Sequence, residues 1–343
     1  MEVTKPLSHL KTFWKNNLIK NILHKTIFWL KNARLYSAPM TILSWLVIFV
    51  YSLKVGGNIV AGLIALVGIC LVHLSTNLID DYIDYKTLQK DYEFLTAGRD
   101  CKCEYLRTGQ ATTKDLKNVI SIFILLAAIC GGILFFISGK AVVFLAVIAL
   151  TIALCYPYLS SNGLGEFAVI IAYGPLMFEG VYYVMTKHFS FDVLILSLIC
   201  VMFVNTVLYT HMLMDYDGDK NANKTTLCLK LGSKQKALNL LLIFYAFSYI
   251  LLIPFAIKTN NYLYFITYIT IPLVFDLYRM LKMYNQDRTS IPTIRFWHNP
   301  LENWDKIKNT YNAPFYLRFF FARNISTYFM LLTCIAIILG NKN

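Results

Sequence analysis

The chain has 343 residues, 57% of them hydrophobic and 15% charged, with a mean hydropathy of +0.54. Those values exclude an ordinary soluble globular domain and a disordered chain. The net charge of +13 follows from lysines and arginines gathered between apolar runs, so nucleic-acid binding is not needed to explain it.

The chain opens on "LSHLKTFWKNNLIKNILHKTIFWL", where Leu10, Phe13, Trp14, Leu18 and Ile22 recur at helical spacing opposite lysines. This pattern predicts an amphipathic segment over 1–38, lying in the membrane interface or alternatively binding a partner. It lacks the clean apolar core of a cleavable signal peptide. Nine apolar runs follow, near 39–56, 58–80, 118–137, 141–158, 164–186, 190–213, 236–257, 262–281 and 324–341. Each approaches the ~20 residues needed to span a bilayer. The predicted fold is therefore an all-α polytopic membrane protein, a bundle of nine transmembrane helices over 39–343. Only Lys54, Lys140, Lys187, Lys258 and Lys342 fall on the side opposite the N-terminus. The positive-inside rule then predicts a cytoplasmic N-terminus in the cell membrane, with inner loops at 81–117, 214–236 and 279–323. The long connections lie on this inner face, which predicts the working side. The last of them, rich in aromatic and basic residues, reads as an interfacial segment or a lid. Cys70, Cys130, Cys155, Cys200 and Cys334 lie in apolar runs as small hydrophobes. Cys101-Lys102-Cys103 is at most half a metal site.

Two acidic clusters stand out. "NLIDDYIDY" places Asn77, Asp81 and Asp84 on one helical stripe, with Asp80 one turn before Asp84 and Asp91 extending the row. In "HMLMDYDGDKNANKTTLCLKLG", Asp215 and Asp219 share a face and Asp217 points away. Both clusters emerge on the inner side, so they can oppose each other across a bundle. Either one alone is compatible with helix-end acids solvated by the cytoplasm, yet acids oppose the dipole at a helix C-terminus, and here they would do so twice. Two facing carboxylate banks suit Mg²⁺, two ions holding a diphosphate. Asp81, Asp84, Asp215 and Asp219 are the candidate ligands, with Lys86, Lys90, Arg99, Arg107, Lys220 and Lys224 available for phosphate. A cation carrier also uses carboxylates, but near the membrane midplane. A rim position suits a lipid substrate with a charged head.

These residues resemble the UbiA superfamily of membrane-embedded prenyltransferases over nearly the whole chain from about Arg34. Members have nine transmembrane helices and two aspartate-rich motifs, N-D-x-x-D and D-x-x-x-D, which "DDYID" and Asp215/Asp219 match. "GLGE", "YGPLMFEGVYYVMT", "DGDKNANKTTLCLKLG" and "NARLYSAPMTI", with Arg34 in the family's arginine position, look like the menaquinone branch, which prenylates 1,4-dihydroxy-2-naphthoate. Three departures stand out: Asp80 replaces an asparagine, His211 and Met214 replace an asparagine and an arginine, and "YPYLSSNG" lacks the lysine of the hydroxybenzoate branch. The resemblance implies a Mg²⁺-dependent transfer from a polyprenyl diphosphate to a dihydroxynaphthoate-like aromatic acceptor within the bilayer. The resulting allylic cation needs a dry pocket with aromatic faces, for which Tyr156, Phe178, Tyr182 and Tyr209 are candidates. Glu179, inside the fifth span, and Glu166 are candidate acceptor-side groups or hydrogen-bonded interhelical contacts. His211 either serves the acceptor hydroxyl or partners the carboxylates. A terpene cyclase, or a transferase to a non-aromatic lipid acceptor, would use the same site.

Overall fold

A computed structural model describes residues 20–21, 23–88, 103–221 and 225–340. Within these, nine helices are long and apolar enough to cross a membrane: α1 (Leu35–Lys54), α2 (Ile59–Lys86), α3 (Thr113–Ser138), α4 (Ala141–Ser161), α5 (Gly165–Thr186), α6 (Phe191–Asn221), α7 (Lys234–Lys258), α8 (Tyr262–Gln286) and α9 (Ala313–Leu339). A further helix over 23–32 precedes them. Leu10, Phe13, Trp14, Leu18 and Ile22, on which the amphipathic prediction rests, lie outside the described residues.

The bundle closes on itself. α2 packs on α3, α1, α5 and α4; α6 packs on α7, α9 and α5; and α9 returns to α1. α6 is the most buried span and runs through the centre. Lipid tails are as apolar as a leucine face, so packing and polar contacts hold such helices together more than water exclusion does. One such contact is Trp45 Nε1, which donates to the Gly62 carbonyl at 2.9 Å between α1 and α2. At the end of the bundle away from the acidic clusters, Lys54 donates to the Ile337 and Gly340 carbonyls where α9 ends.

Three helices extend furthest beyond an end of their apolar runs. α2 and α6 do not stop at the acids but run past them, to Lys86 and Asn221. Cationic and hydroxyl side chains partner the carboxylates, so the backbone hydrogen bonds continue through them. α9 begins at Ala313, not near residue 324. Arg318 broke the apolar run, but its fully buried guanidinium is solvated by the Met280, Ser290 and Pro314 carbonyls and the Ser290 hydroxyl. The inner segment between α8 and α9 is stitched down by the same kind of bond. Asp276 accepts from Trp297 and from buried His298, both at 2.9 Å, and Asn324 donates to the His298 and Pro300 carbonyls.

Candidate functional site

At the inner end of α2, Asp81 is only 3% exposed. Arg34 pairs with it and, at 3.4 Å, with Asp80. Tyr105, on the short helix Glu104–Arg107, donates to the other Asp81 oxygen at 3.1 Å, and Cys103 Sγ lies 3.1 Å from the Asp81 carbonyl. Burial works against the Arg34 charge, but Asp81 and Asp80 outweigh it and hold the guanidinium above its usual range. Burial, and then the Asp81 charge, push the Tyr105 phenol up, so it remains a donor. Phe28 and Trp29 close over Tyr105 edge-to-face, with centroids at 6.1 and 5.8 Å.

Arg34 reaches this position through a left-handed backbone conformation, φ 59° and ψ 47°. Such a conformation costs a non-glycine residue about 1–2 kcal/mol. Local bonds offset it: Ser37 donates to the Arg34 carbonyl at 2.7 Å, and Asn77 donates to the Ala33 carbonyl at 2.9 Å. Asn77 thus shapes the turn that aims Arg34. Asp80, the residue that departs from the family pattern, shares the Arg34 charge with Asp81. Arg107 is exposed; it is its neighbour Tyr105 that reaches Asp81. Asp91 lies outside the described residues.

On α6, His211 Nδ1 sits 3.1 Å from an Asp215 oxygen, packed edge-on against Phe315 of α9. Asp219, one turn on, is buried at 8% exposure. Asp217 faces elsewhere and pairs with Lys234 and Arg288, tying α6 to α7 and to the segment after α8. Lys220 is exposed, and Lys224 lies outside the described residues. No group of three or more His, Cys, Asp or Glu able to hold a metal ion occurs among the described residues. Mg²⁺ bound with a phosphate substrate asks for only one or two carboxylates per ion. Two separate banks of hard oxygen donors fit that demand.

A cavity of about 340 Å³ lies between α1, α2, α3, α4 and α5. Its apolar wall mixes small residues, among them Gly68, Gly131 and Ala149, with larger ones such as Ile69, Leu145 and Met177, and its polar groups are Arg34, Thr41, His73, Asn77, Tyr156 and Tyr173. Arg34 therefore belongs both to the acidic cluster and to the cavity. Of the expected aromatic faces, Tyr156 lines it. Phe178 is fully buried in the core, the buried Tyr209 donates to the Ala237 carbonyl, and Tyr182 packs against Tyr51.

The sequence reading missed His73, Thr41 and Tyr173. Tyr173 sits in a widened π-type turn of α5, Ala172–Leu176, where Pro175 removes a backbone donor. At Gly174 a Cβ would meet a Val201 methyl of α6 at 3.0 Å, so a larger residue would press the kinked segment against α6. The kink turns the Tyr173 hydroxyl onto His73 Nδ1 at 2.8 Å. Lone polar residues in apolar runs carry no spacing signal; only "YGP" hinted at the break.

Glu179 does not join this site. It accepts from the Ser190 backbone N–H at 3.2 Å, serving the otherwise unsatisfied start of α6. Glu179→Ala should leave turnover within about twofold and lower stability by about 1 kcal/mol, as loss of a helix-start acceptor does. Turnover and thermal unfolding of the detergent-purified variant check this. Glu166 is buried, with one oxygen lacking a partner, and also lies off the cavity wall.

Residues 40–300 match the model of the UbiA prenyltransferase family. The chain belongs to that family. It is a multi-pass membrane prenyltransferase. Among curated relatives, the 1,4-dihydroxy-2-naphthoate octaprenyltransferase of Haemophilus influenzae is 25% identical over 231 residues, 62% of this chain and 72% of the relative. Solved UbiA-type structures share the fold. A digeranylgeranylglyceryl phosphate synthase aligns with a TM-score of 0.60 at 16% identity, covering 92% of this chain and 99% of that one. A UbiA homologue from Archaeoglobus fulgidus, bound to DMAPP and Mg²⁺, aligns at 0.53 with 13% identity, covering 91% and 99%.

Proposed function

We propose that this UbiA-family prenyltransferase moves a polyprenyl group from its diphosphate to a hydroxylated aromatic acceptor of the naphthoate type, as in menaquinone-type quinone biosynthesis. The observation that carries this reading is the junction of the acidic cluster and the cavity. Arg34 pairs with Asp81 on one side and lines the mouth of a largely apolar 340 Å³ chamber on the other. A substrate with an anionic head and an isoprenoid tail matches both halves. The relationship to a naphthoate octaprenyltransferase supports the acceptor class.

In this reading the tail lies along Gly68, Gly131 and Ala149, and the diphosphate meets Arg34, with Asp81 and Asp84 on one side and Asp215 and Asp219 on the other. Mg²⁺ held by these four carboxylates would neutralise the diphosphate, as electrostatic catalysis of this kind requires. Arg34 orients the diphosphate and, released in part from Asp81, adds charge to it. His211 holds Asp215 in place. As the allylic C–O bond breaks, its electron pair leaves with pyrophosphate. The ring carbon of the acceptor supplies the pair for the new C–C bond and then loses the group it carried, a proton to the pyrophosphate or a carboxylate as CO₂, whose bonding pair restores the aromatic ring. Tyr156 offers a π face to the developing cation while the apolar wall excludes water. The lysine and arginine distribution supports a cytoplasmic N-terminus and a site facing the cytoplasm.

The test is pyrophosphate release by detergent-purified protein given Mg²⁺, labelled prenyl diphosphates and a panel of acceptors that includes 1,4-dihydroxy-2-naphthoate. Release and product should both require an aromatic acceptor, fall to background on chelation with EDTA, and return with Mg²⁺. Release without acceptor dependence would point instead to a terpene cyclase. Prenylation of only non-aromatic acceptors would replace the acceptor class.

A further inference from the structure

We propose that His73, Thr41 and Tyr173 form the subsite that takes a hydroxyl of the aromatic acceptor, with Tyr173 in contact and His73 positioning it. This rests on the aromatic-acceptor reading above.

The hydrogen bonds define the state of the imidazole. Ser37 gives its own proton to the Arg34 carbonyl, so toward His73 Nε2, 2.8 Å away, its oxygen acts as acceptor. Nε2 therefore carries the hydrogen and Nδ1 is a bare acceptor. Two hydroxyls crowd that single lone pair: Thr41 Oγ1 at 2.5 Å and Tyr173 Oη at 2.8 Å, themselves 3.3 Å apart. Thr41 donates to the Tyr173 oxygen and Tyr173 donates to Nδ1, so both protons are used within the cluster and the two hydroxyl oxygens keep lone pairs able to accept from a ligand hydroxyl.

A clamp that only joined α1, α2 and α5 would be sealed by packing. Here Thr41, His73 and Tyr173 all line the open cavity, beside Arg34 and Asn77. His73 stands one helical turn, about 5.4 Å, deeper than Asn77 and about 12 Å of rise from Asp81. The reacting carbon of a prenyl diphosphate is bonded to the diphosphate itself, so a diphosphate held at Arg34 places that carbon at the end of the cavity that His73 also lines. The cluster has no carboxylate of its own and adds two neutral hydroxyls and an acceptor nitrogen. Such groups suit a phenolic oxygen, whereas a diphosphate calls for cations.

The test is titration of the detergent-solubilised full chain with 1,4-dihydroxy-2-naphthoate and with 2-naphthoate, which lacks the hydroxyls. The wild type should prefer the dihydroxy compound about tenfold or more. Tyr173→Phe, which keeps the ring and its packing, and His73→Leu should each reduce that preference to about twofold or less. The affinity for a prenyl diphosphate should stay within about twofold of wild type. An unchanged preference in Tyr173→Phe overturns the proposal, whatever the His73 variant does. So does a parallel loss of donor and acceptor binding in that variant, since this would make the cluster a clamp. The two readings fail separately. A wild-type chain that binds the dihydroxy compound with this preference but never prenylates it would sink the transfer reading and keep the subsite. Prenylation with an unaltered preference in the variant would do the reverse.

Discussion

Asp215→Ala should lower prenyl transfer by about a hundredfold or more, the range typical for removing one electrostatic group from a preorganised site. Asp215 is one of the two α6 carboxylates on the face opposed to Asp217, and His211 holds it at 3.1 Å. In the proposed mechanism Asp215 shares the α6 bank with Asp219 alone, and Mg²⁺ bound with a phosphate substrate takes one or two carboxylates per ion, so the loss of one is large. Asp217→Ala is the internal control on the same helix. Its carboxylate belongs to Lys234 and Arg288, and its side chain is 39% exposed, so solvent screens both pairs. Its loss should cost below about 1 kcal/mol of stability and leave turnover within a few-fold. Single-turnover product formation measured beside thermal unfolding separates the two. Equal turnover losses in both variants would mean that the region acts through loop anchoring, and the assignment of Asp215 to diphosphate chemistry would fall.

That contrast between Asp215 and Asp217 was legible in the sequence, because helical spacing alone puts residues four apart on one face and residues two apart on different ones. The nine spans were legible for a similar reason, since hydropathy is additive along a run. Three features were not. The apolar runs end at the acids, yet α2 and α6 continue through them, where Arg34, Tyr105 and His211 partner the carboxylates. The apolar run near 324–341 marked only part of α9, which starts at Ala313 because backbone carbonyls solvate Arg318 within the bundle. His73, Thr41 and Tyr173 belong to three helices with 132 residues between Thr41 and Tyr173, so only the assembled bundle brings them together. Glu179 was open to two readings, an acceptor-side group or an interhelical contact, and it makes such a contact with the Ser190 N–H at the start of α6.

Arg34 should be the more damaging loss for the fold, and its effect can be separated from its chemistry. Arg34→Met leaves Asp81 as a buried carboxylate without its cation, which costs about 3–5 kcal/mol when a buried pair is broken from one side. Asp81→Asn alone is milder for stability. The amide can still accept from Tyr105, and Arg34 keeps Asp80 at 3.4 Å. Combining the two changes should recover much of the stability lost in Arg34→Met, because a buried charge deprived of the Arg34 guanidinium, not the missing contact, dominates the cost. Prenyl transfer should remain near background in all three variants, since each lacks either the diphosphate-orienting cation or a carboxylate of the first bank. Thermal unfolding in detergent across the cycle, read beside turnover, gives both quantities from the same preparations. Strictly additive stability losses would mean that Arg34 and Asp81 are not energetically coupled, and the pairing would then be incidental. Turnover restored in the double variant would mean the pair is a structural lock, and the substrate's anionic head would have to be held elsewhere.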